Sequence, residues 1–245
     1  MVEKLLNQRS FYGLSKKEKL LLEVINSSVT FSYDDLQRIC PINNLHNTLK
    51  QMKKKGIIST VKKGVYYLTE SENIYEIVSE SFSPCYISFW TALSYYGFTE
   101  QQIFSVQIVT TNDEKTRKVS KYKIIPIKFK PERFFGYLKI DNFSIAEKEK
   151  ALIDSLAFPE KAGGIKEVAK CLSNAWPELN KKSFIQYLSR FDNNSLNARV
   201  GYILEELQLK NINMPLPNTY VKLNKRNPNN GIYNKKWRLI VNDSL

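Results

Sequence analysis

LSKKEKLLLEVINSSVTFSYDDLQRICPINNLHNTLKQMKKKGIISTVKKGVYYL, residues 14–68, holds three helix signatures and a hairpin in close succession. Ser15 followed by Glu18 has the spacing of a capping box, in which two side chains satisfy backbone donors that a helix start leaves unpaired. Leu21, Val24 and Ile25 then recur at helical spacing and predict one apolar face. Ser32 opens a second helix with Leu36 and Ile39 expected inward, and Pro41 ends it because proline lacks a donor and restricts Cys40 before it. After a tight turn through Ile42, a third helix is expected from about Asn44 to Lys55. In it Leu45, Leu49 and Met52 share one narrow arc, while Asn43, His46, Asn47, Lys50 and Lys54 cover the opposite side. Gly56 suits the position just past a helix end. Ile57 to Val61 and Val65 to Leu68 are β-branched and aromatic runs, joined by Lys62-Lys63-Gly64, whose glycine supplies the turn. This succession is the layout of a winged helix-turn-helix.

The outward residues suit double-stranded DNA. Asn pairs bidentately with adenine, Lys reaches guanine or a phosphate, and a helix fits the major groove. The expected DNA-binding set is therefore Asn43, Asn44, His46, Asn47, Lys50 and Lys54 on the helix, with Lys62 and Lys63 holding phosphate at the wing tip. The competing reading is a protein-docking module, because outward Lys and Asn also cover any solvated helix face.

Charge is unevenly placed along the 245 residues, whose formal total is +13. Residues 1–70 carry twelve Lys/Arg against six Asp/Glu, whereas residues 71–112 have no Lys or Arg and nine aromatic residues. That shift predicts a domain boundary: a winged helix over 1–70 and a larger mixed α/β domain over 71–245, α+β as a whole. Residues 113–139 return to nine basic against three acidic, and 222–238 add six basic residues with no acid. Lys121, Lys123, Lys128, Arg226, Lys235 and Lys236 are candidates for a second basic surface, since basic blocks imply a polyanionic partner or an acidic protein. No run of about 18 apolar residues is present, so no membrane span is expected. Met1 to Leu14, charged at Glu3, Lys4 and Arg9, lacks the apolar centre of a signal peptide, which points to the cytoplasm. Cys40, Cys85 and Cys171 are far apart and fit buried thiols.

Beyond the wing, Ile74, Ile77 and Val78 mark a helix, and Ser88 to Tyr96 another that Gly97 stops. Ser105 to Thr110 alternates like a strand, Lys121 to Lys130 is a second with Pro126 at an edge or bulge, and Phe134 to Ile140 a third. Asn112-Asp113-Glu114-Lys115 makes a polar turn between the first two. From Ser144 the pattern becomes helical through three apolar faces, ending at Leu207. Thr219 to Leu223 and Lys236 to Val241 close the chain as strands.

Three segments carry a family resemblance: Tyr86-Ile-Ser-Phe-Trp-Thr-Ala-Leu-Ser-Tyr-Tyr-Gly-Phe-Thr99, Val106-Gln-Ile-Val-Thr-Thr111, and Phe143-Ser-Ile-Ala-Glu-Lys-Glu-Lys-Ala-Leu-Ile-Asp154. With Gly64-Val-Tyr-Tyr-Leu68 before them, the chain resembles the AbiEi family of antitoxins from type IV toxin–antitoxin systems, from about residue 14 to 175. The resemblance implies a winged helix that represses its own operon and a C-terminal domain that neutralises a nucleotidyltransferase-like toxin. The implied partners are operator DNA and that toxin or its nucleic-acid substrate. No catalytic residue comes with it, and a stand-alone winged-helix transcription regulator fits the same architecture.

No cofactor, metal or catalytic motif is expected. With one histidine there is no histidine-based metal cluster, no Ser-His-Asp triad is expected, and Gly163-Gly164-Ile165-Lys166 lacks the P-loop spacing. The enzyme alternative is a metal-dependent nuclease using Asp113 and Lys115 with Glu100 and Glu132. Glu147, Glu149 and Asp154 are explained by a solvated, capped first helical turn, with Glu147 paired to Lys148 or Lys150.

Overall fold

The computed structural model of the chain describes residues 13–71, 73–209 and 212–245, so Glu3, Lys4 and Arg9 lie outside the described residues. α1 (Lys16–Ile25) starts from the capping box expected of Ser15: Glu18 N–H donates to Ser15 Oγ at 3.3 Å, and Ser15 N–H donates to Glu18 Oε2 at 2.7 Å. β1 (Phe31–Ser32), α2 (Tyr33–Ile39), α3 (Leu45–Lys54), β2 (Ile58–Lys62) and β3 (Val65–Leu68) follow. The strands form an antiparallel sheet in the order β1-β3-β2. Leu21, Leu22, Ile25, Leu36, Leu49, Met52 and Ile58 close the core of this unit. Ile39, expected inward, is instead 68% exposed, and Cys40 is buried in its place. At about 100° per residue Cys40 lies nearer the direction of Leu36 than Ile39 does.

The remaining elements are α4 (Ile74–Ser81), β4 (Cys85–Ile87), α5 (Phe89–Tyr95), β5 (Ser105–Thr110), β6 (Arg117–Val119), β7 (Tyr122–Lys128), β8 (Tyr137–Ile140), β9 (Phe143–Ala146), α6 (Lys148–Ala157), α7 (Ile165–Ala175), α8 (Lys181–Phe191), α9 (Asn194–Glu206), β10 (Val221–Lys222), β11 (Ile232–Asn234) and β12 (Leu239–Val241). The class is α+β. Six strands make one mixed sheet in the order β6-β7-β5-β4-β9-β8. β5 does not alternate as a half-exposed strand would; Val106 to Thr110 are all buried, because the strand lies inside the sheet. Pro126 sits past the end of β6, where β7 is paired on the β5 side only.

Ser144 is not the start of a helix. It lies in β9, which pairs with β8 on one side and β4 on the other, and helix begins four residues later at Lys148. α6 then runs through the centre of the domain, in contact with α5, α7, α8 and α9, and every residue from Glu149 to Ala157 is buried. The chain closes on a small sheet ordered β10-β12-β11, from which Trp237 packs against Gly201 of α9.

The apolar core does not divide at residue 70. Val61 and Tyr67 belong to the core of the larger domain, and Val29 and Val65 pack against it. Thr30 N–H donates to Glu80 Oε2 at 3.1 Å, and Lys62 Nζ meets Glu114 Oε1 at 2.9 Å. Among the described residues no helix is long and apolar enough to cross a membrane. Cys40, Cys85 and Cys171 are buried free thiols, and burial pushes Cys85 and Cys171 up to about 12.

Candidate nucleic-acid interface

α3 is oriented by its buried side, where Leu45, Leu49 and Met52 enter the core of the N-terminal unit. Its other side is left to solvent: Asn43, Asn44, His46, Asn47, Lys50 and Lys54 are all exposed. The helix begins at Asn44, which is left-handed (φ 69°) and gives no side-chain cap; backbone carbonyls serve instead, with Leu45 N–H donating to Ile42 O at 3.2 Å and Asn47 N–H to Asn44 O at 3.0 Å. Lys17 Nζ donates to Asn43 O at 2.9 Å and ties the turn before α3 to α1. His46 stands edge-on to Tyr33 of α2, with ring centroids 6.5 Å apart. Lys55 is drawn out of this face by Glu18 at 2.8 Å. Burial pushes the Glu18 carboxyl up, yet the hydrogen bonds from Lys55 and Ser15 outweigh it and hold it below its ordinary value. Gln51 and Lys53, which the sequence reading left aside, are exposed on the same helix.

The hairpin of β2 and β3 separates the two lysines expected at its tip. Gly64 takes φ 77° at the turn and Lys63 beside it is exposed. Lys62 is not a free tip residue: it is paired with Glu114 and lies 5.1 Å from the Phe82 ring centroid, both in the larger domain. A bulge between Thr60 and Lys62 accompanies this change of direction.

The six residues of the expected second basic surface fall on two parts of the fold. Lys121, Lys123 and Lys128 are on or beside β7, and Arg226, Lys235 and Lys236 lie in the C-terminal segment around the small sheet. All six are exposed, but Lys128 is paired with Asp113 at 2.5 Å and Lys236 with Glu205 at 2.6 Å. Two of the three carboxylates proposed for a nuclease centre, Asp113 and Glu100, are likewise engaged elsewhere, as is Glu114 beside Asp113. Asp113 holds Lys128, Glu114 holds Lys62 and Arg117, and Glu100 holds Lys170. Among the described residues no group of three or more His, Cys, Asp or Glu is arranged to hold a metal ion.

The three segments that carry the family resemblance meet inside the larger domain. β4 and β5 are antiparallel neighbours, and Tyr86 OH and Ser88 Oγ donate to Asp154 Oδ2 of α6 at 3.2 and 2.7 Å. Lys150 Nζ pairs with Asp154 Oδ1 and donates to Tyr86 OH at 2.8 Å, under the rings of Phe129, Phe135 and Phe191. Both charged side chains are fully buried, which overturns the solvated-turn reading of Asp154 and the pairing of Lys150 with Glu147. Burial pushes the Lys150 ammonium down and the Asp154 carboxyl up, while their mutual attraction opposes both shifts. Glu149 accepts from Asn180 N–H at 2.7 Å and Glu147 from Tyr187 OH at 2.9 Å, so both brace α8. A sealed cluster of this kind positions β4 on α6 and touches no solvent-borne reactant.

No protein-family model and no curated protein matches the chain. Among solved structures it is similar to the crystal structure of the RV2827C protein from Mycobacterium tuberculosis, with a TM-score of 0.65 over 92% of this chain and 91% of that one. At 11% sequence identity the likeness concerns the fold alone.

Proposed function

We propose that the chain is a cytoplasmic DNA-binding regulator whose N-terminal unit is a winged helix-turn-helix, with α3 reading bases and Lys63 holding phosphate. The observation that carries this reading is the exposed face of α3. Asn43, Asn44, His46, Asn47, Lys50 and Lys54 form no side-chain hydrogen bond or ion pair with the described residues, beside an exposed wing-tip lysine. Short amides and lysines on one helix face suit base edges and phosphates together. We assign the larger domain the role of an antitoxin against a nucleotidyltransferase-like toxin, on the resemblance of its three segments to the AbiEi family.

Fluorescence anisotropy on duplexes from the region upstream of the chain's own reading frame tests the DNA reading. Asn47→Ala and Lys50→Ala should each lose about 1–3 kcal/mol of discrimination at one base pair. Lys63→Ala should weaken specific and random duplexes alike and flatten the salt dependence by about one unit, whereas Lys62→Ala should leave that slope unchanged. Equal losses on specific and random duplexes for Asn47→Ala and Lys50→Ala would remove base readout. The antitoxin assignment predicts that co-expression rescues cells from a nucleotidyltransferase encoded next to this chain, and no rescue would reject it.

A further inference from the structure

α7 begins where Gly163 and Gly164, at φ 79° and 94°, turn the chain so that Gly164 becomes an N-cap without a capping side chain. The first-turn N–H groups therefore lack a side-chain acceptor at the positive end of an 11-residue helix. A cavity of about 300 Å³ opens at this point, lined by the two glycines, Glu160, Arg199, Lys225 and Arg226 among others.

Arg199 is the independent sign of a ligand. It is 2% exposed, its Nε donates to Lys222 O at 3.0 Å, and its Nη1 has no hydrogen-bond partner among the described residues. A buried guanidinium with an unsatisfied donor is costly unless something completes it. The same wall holds two further cations, Lys225 and Arg226, against the single carboxylate of Glu160. None of these four forms an ion pair among the described residues. Burial holds Arg199 down to about 10, and burial followed by the charge of Arg199 lowers Lys225. Bound negative charge would relieve both.

The loop that presents Lys225 and Arg226 is fixed in advance. Asn224 donates from its N–H to Asn242 Oδ1 at 2.9 Å and from its side chain to Asp243 Oδ2 at 2.6 Å, and Asn242 Nδ2 donates back to Asn224 O at 2.9 Å. A preformed cavity with convergent polar groups is the usual setting of a small-molecule site. Gly163 and Gly164 lack P-loop spacing, yet positive-φ glycines leading into a helix start still leave backbone donors free for phosphate oxygens.

We propose that this cleft binds the terminal phosphate of a small phosphorylated molecule of nucleotide size, gripped by Arg199, Lys225, Arg226 and the N-terminus of α7. A recessed guanidinium forks onto two oxygens of a phosphate that projects from its carrier. The phosphates of a continuous duplex are esterified on both sides and do not project in this way. The site is separate from α3, and the proposal does not rest on the DNA reading.

Thermal melts of the full chain with adenosine 5′-monophosphate, inorganic phosphate, adenosine and a 5′-phosphorylated oligonucleotide, at matched ionic strength, test it. The mononucleotide and inorganic phosphate should raise Tm through preferential binding to the folded state, and adenosine should not. Lys225→Gln with Arg226→Gln changes exposed side chains, so the fold is retained, and should weaken mononucleotide affinity by at least about tenfold by calorimetry. Asn47→Ala should leave it unchanged. No shift with the mononucleotide, an equal shift with adenosine, or full affinity in the double variant would overturn the proposal. A shift with the oligonucleotide but not the mononucleotide would overturn the small-molecule assignment.

Discussion

Asp154 accepts three side-chain donors with no solvent contact: Lys150 on Oδ1, and Tyr86 and Ser88 on Oδ2. Removing one partner of a buried pair leaves the other charge uncompensated, which costs far more than the pair itself contributes. Asp154→Asn should therefore lower stability by about 3–5 kcal/mol at neutral pH. The pH dependence of that loss identifies its source. Lys150 is held below its ordinary value of 10.5 by burial, so the unfolded chain binds more protons between the two values and stability rises with pH there. Deprotonation relieves the stranded lysine, and the deficit should shrink as the pH rises from neutral toward 10.5. Urea melts of both proteins across that range check this, and a constant deficit would mean that Lys150 plays no part. From the sequence, Asp154 looks like any acid near a helix start. Only its neighbours in β4 and the aromatic cage reveal its role.

Elements with one wet face were legible in the chain, and those covered on all sides were not. α1 and α3 show clean apolar arcs because each faces a core on one side only. α6 is enclosed by four helices, so polar residues inside it follow specific partners and its start was placed too early. α8 (Lys181–Phe191) went unread, although Phe184, Leu188 and Phe191 are its buried face. Close approach between elements also left little trace. A Cβ on Gly201 would lie 2.0 Å from Trp237 Cζ3, so α9 can carry only glycine where the tryptophan of the C-terminal segment lies. Gly201→Ala should cost about 1–3 kcal/mol by overpacking. The comparison substitution Ile39→Thr, on an exposed site of α2, should stay within about 0.5 kcal/mol. Chemical denaturation of the two variants checks both values, and a Gly201→Ala protein as stable as the wild type would show that Trp237 repacks freely.

At the scale of the molecule, the hairpin serves the N-terminal unit and the core of the larger domain together. Val61 and Tyr67 are buried in that core, and Lys62 reaches Glu114 across the junction. A fragment of residues 71–245 loses these contacts and should melt at a lower temperature than the full chain; equal melting temperatures would show that the two cores are energetically independent. Substitutions on α3 in the intact chain are therefore the cleaner way to test the proposed DNA binding apart from the proposed antitoxin role. By itself the sequence determined the capped helices, the polar face of α3 and the glycine turn of the hairpin. Each of these follows from local chemistry: caps three residues apart, apolar residues at helical spacing, and a left-handed glycine. Tertiary structure alone decided that Lys62 faces Glu114, that Tyr86, Ser88 and the rings of Phe129, Phe135 and Phe191 seal the helical pair Lys150–Asp154, and that Arg199 and Lys225 line one cavity at the start of α7. Those outcomes depend on residues tens of positions apart being brought within a few ångströms, where burial sets the energy of a charge, and spacing along the chain carries no record of that distance.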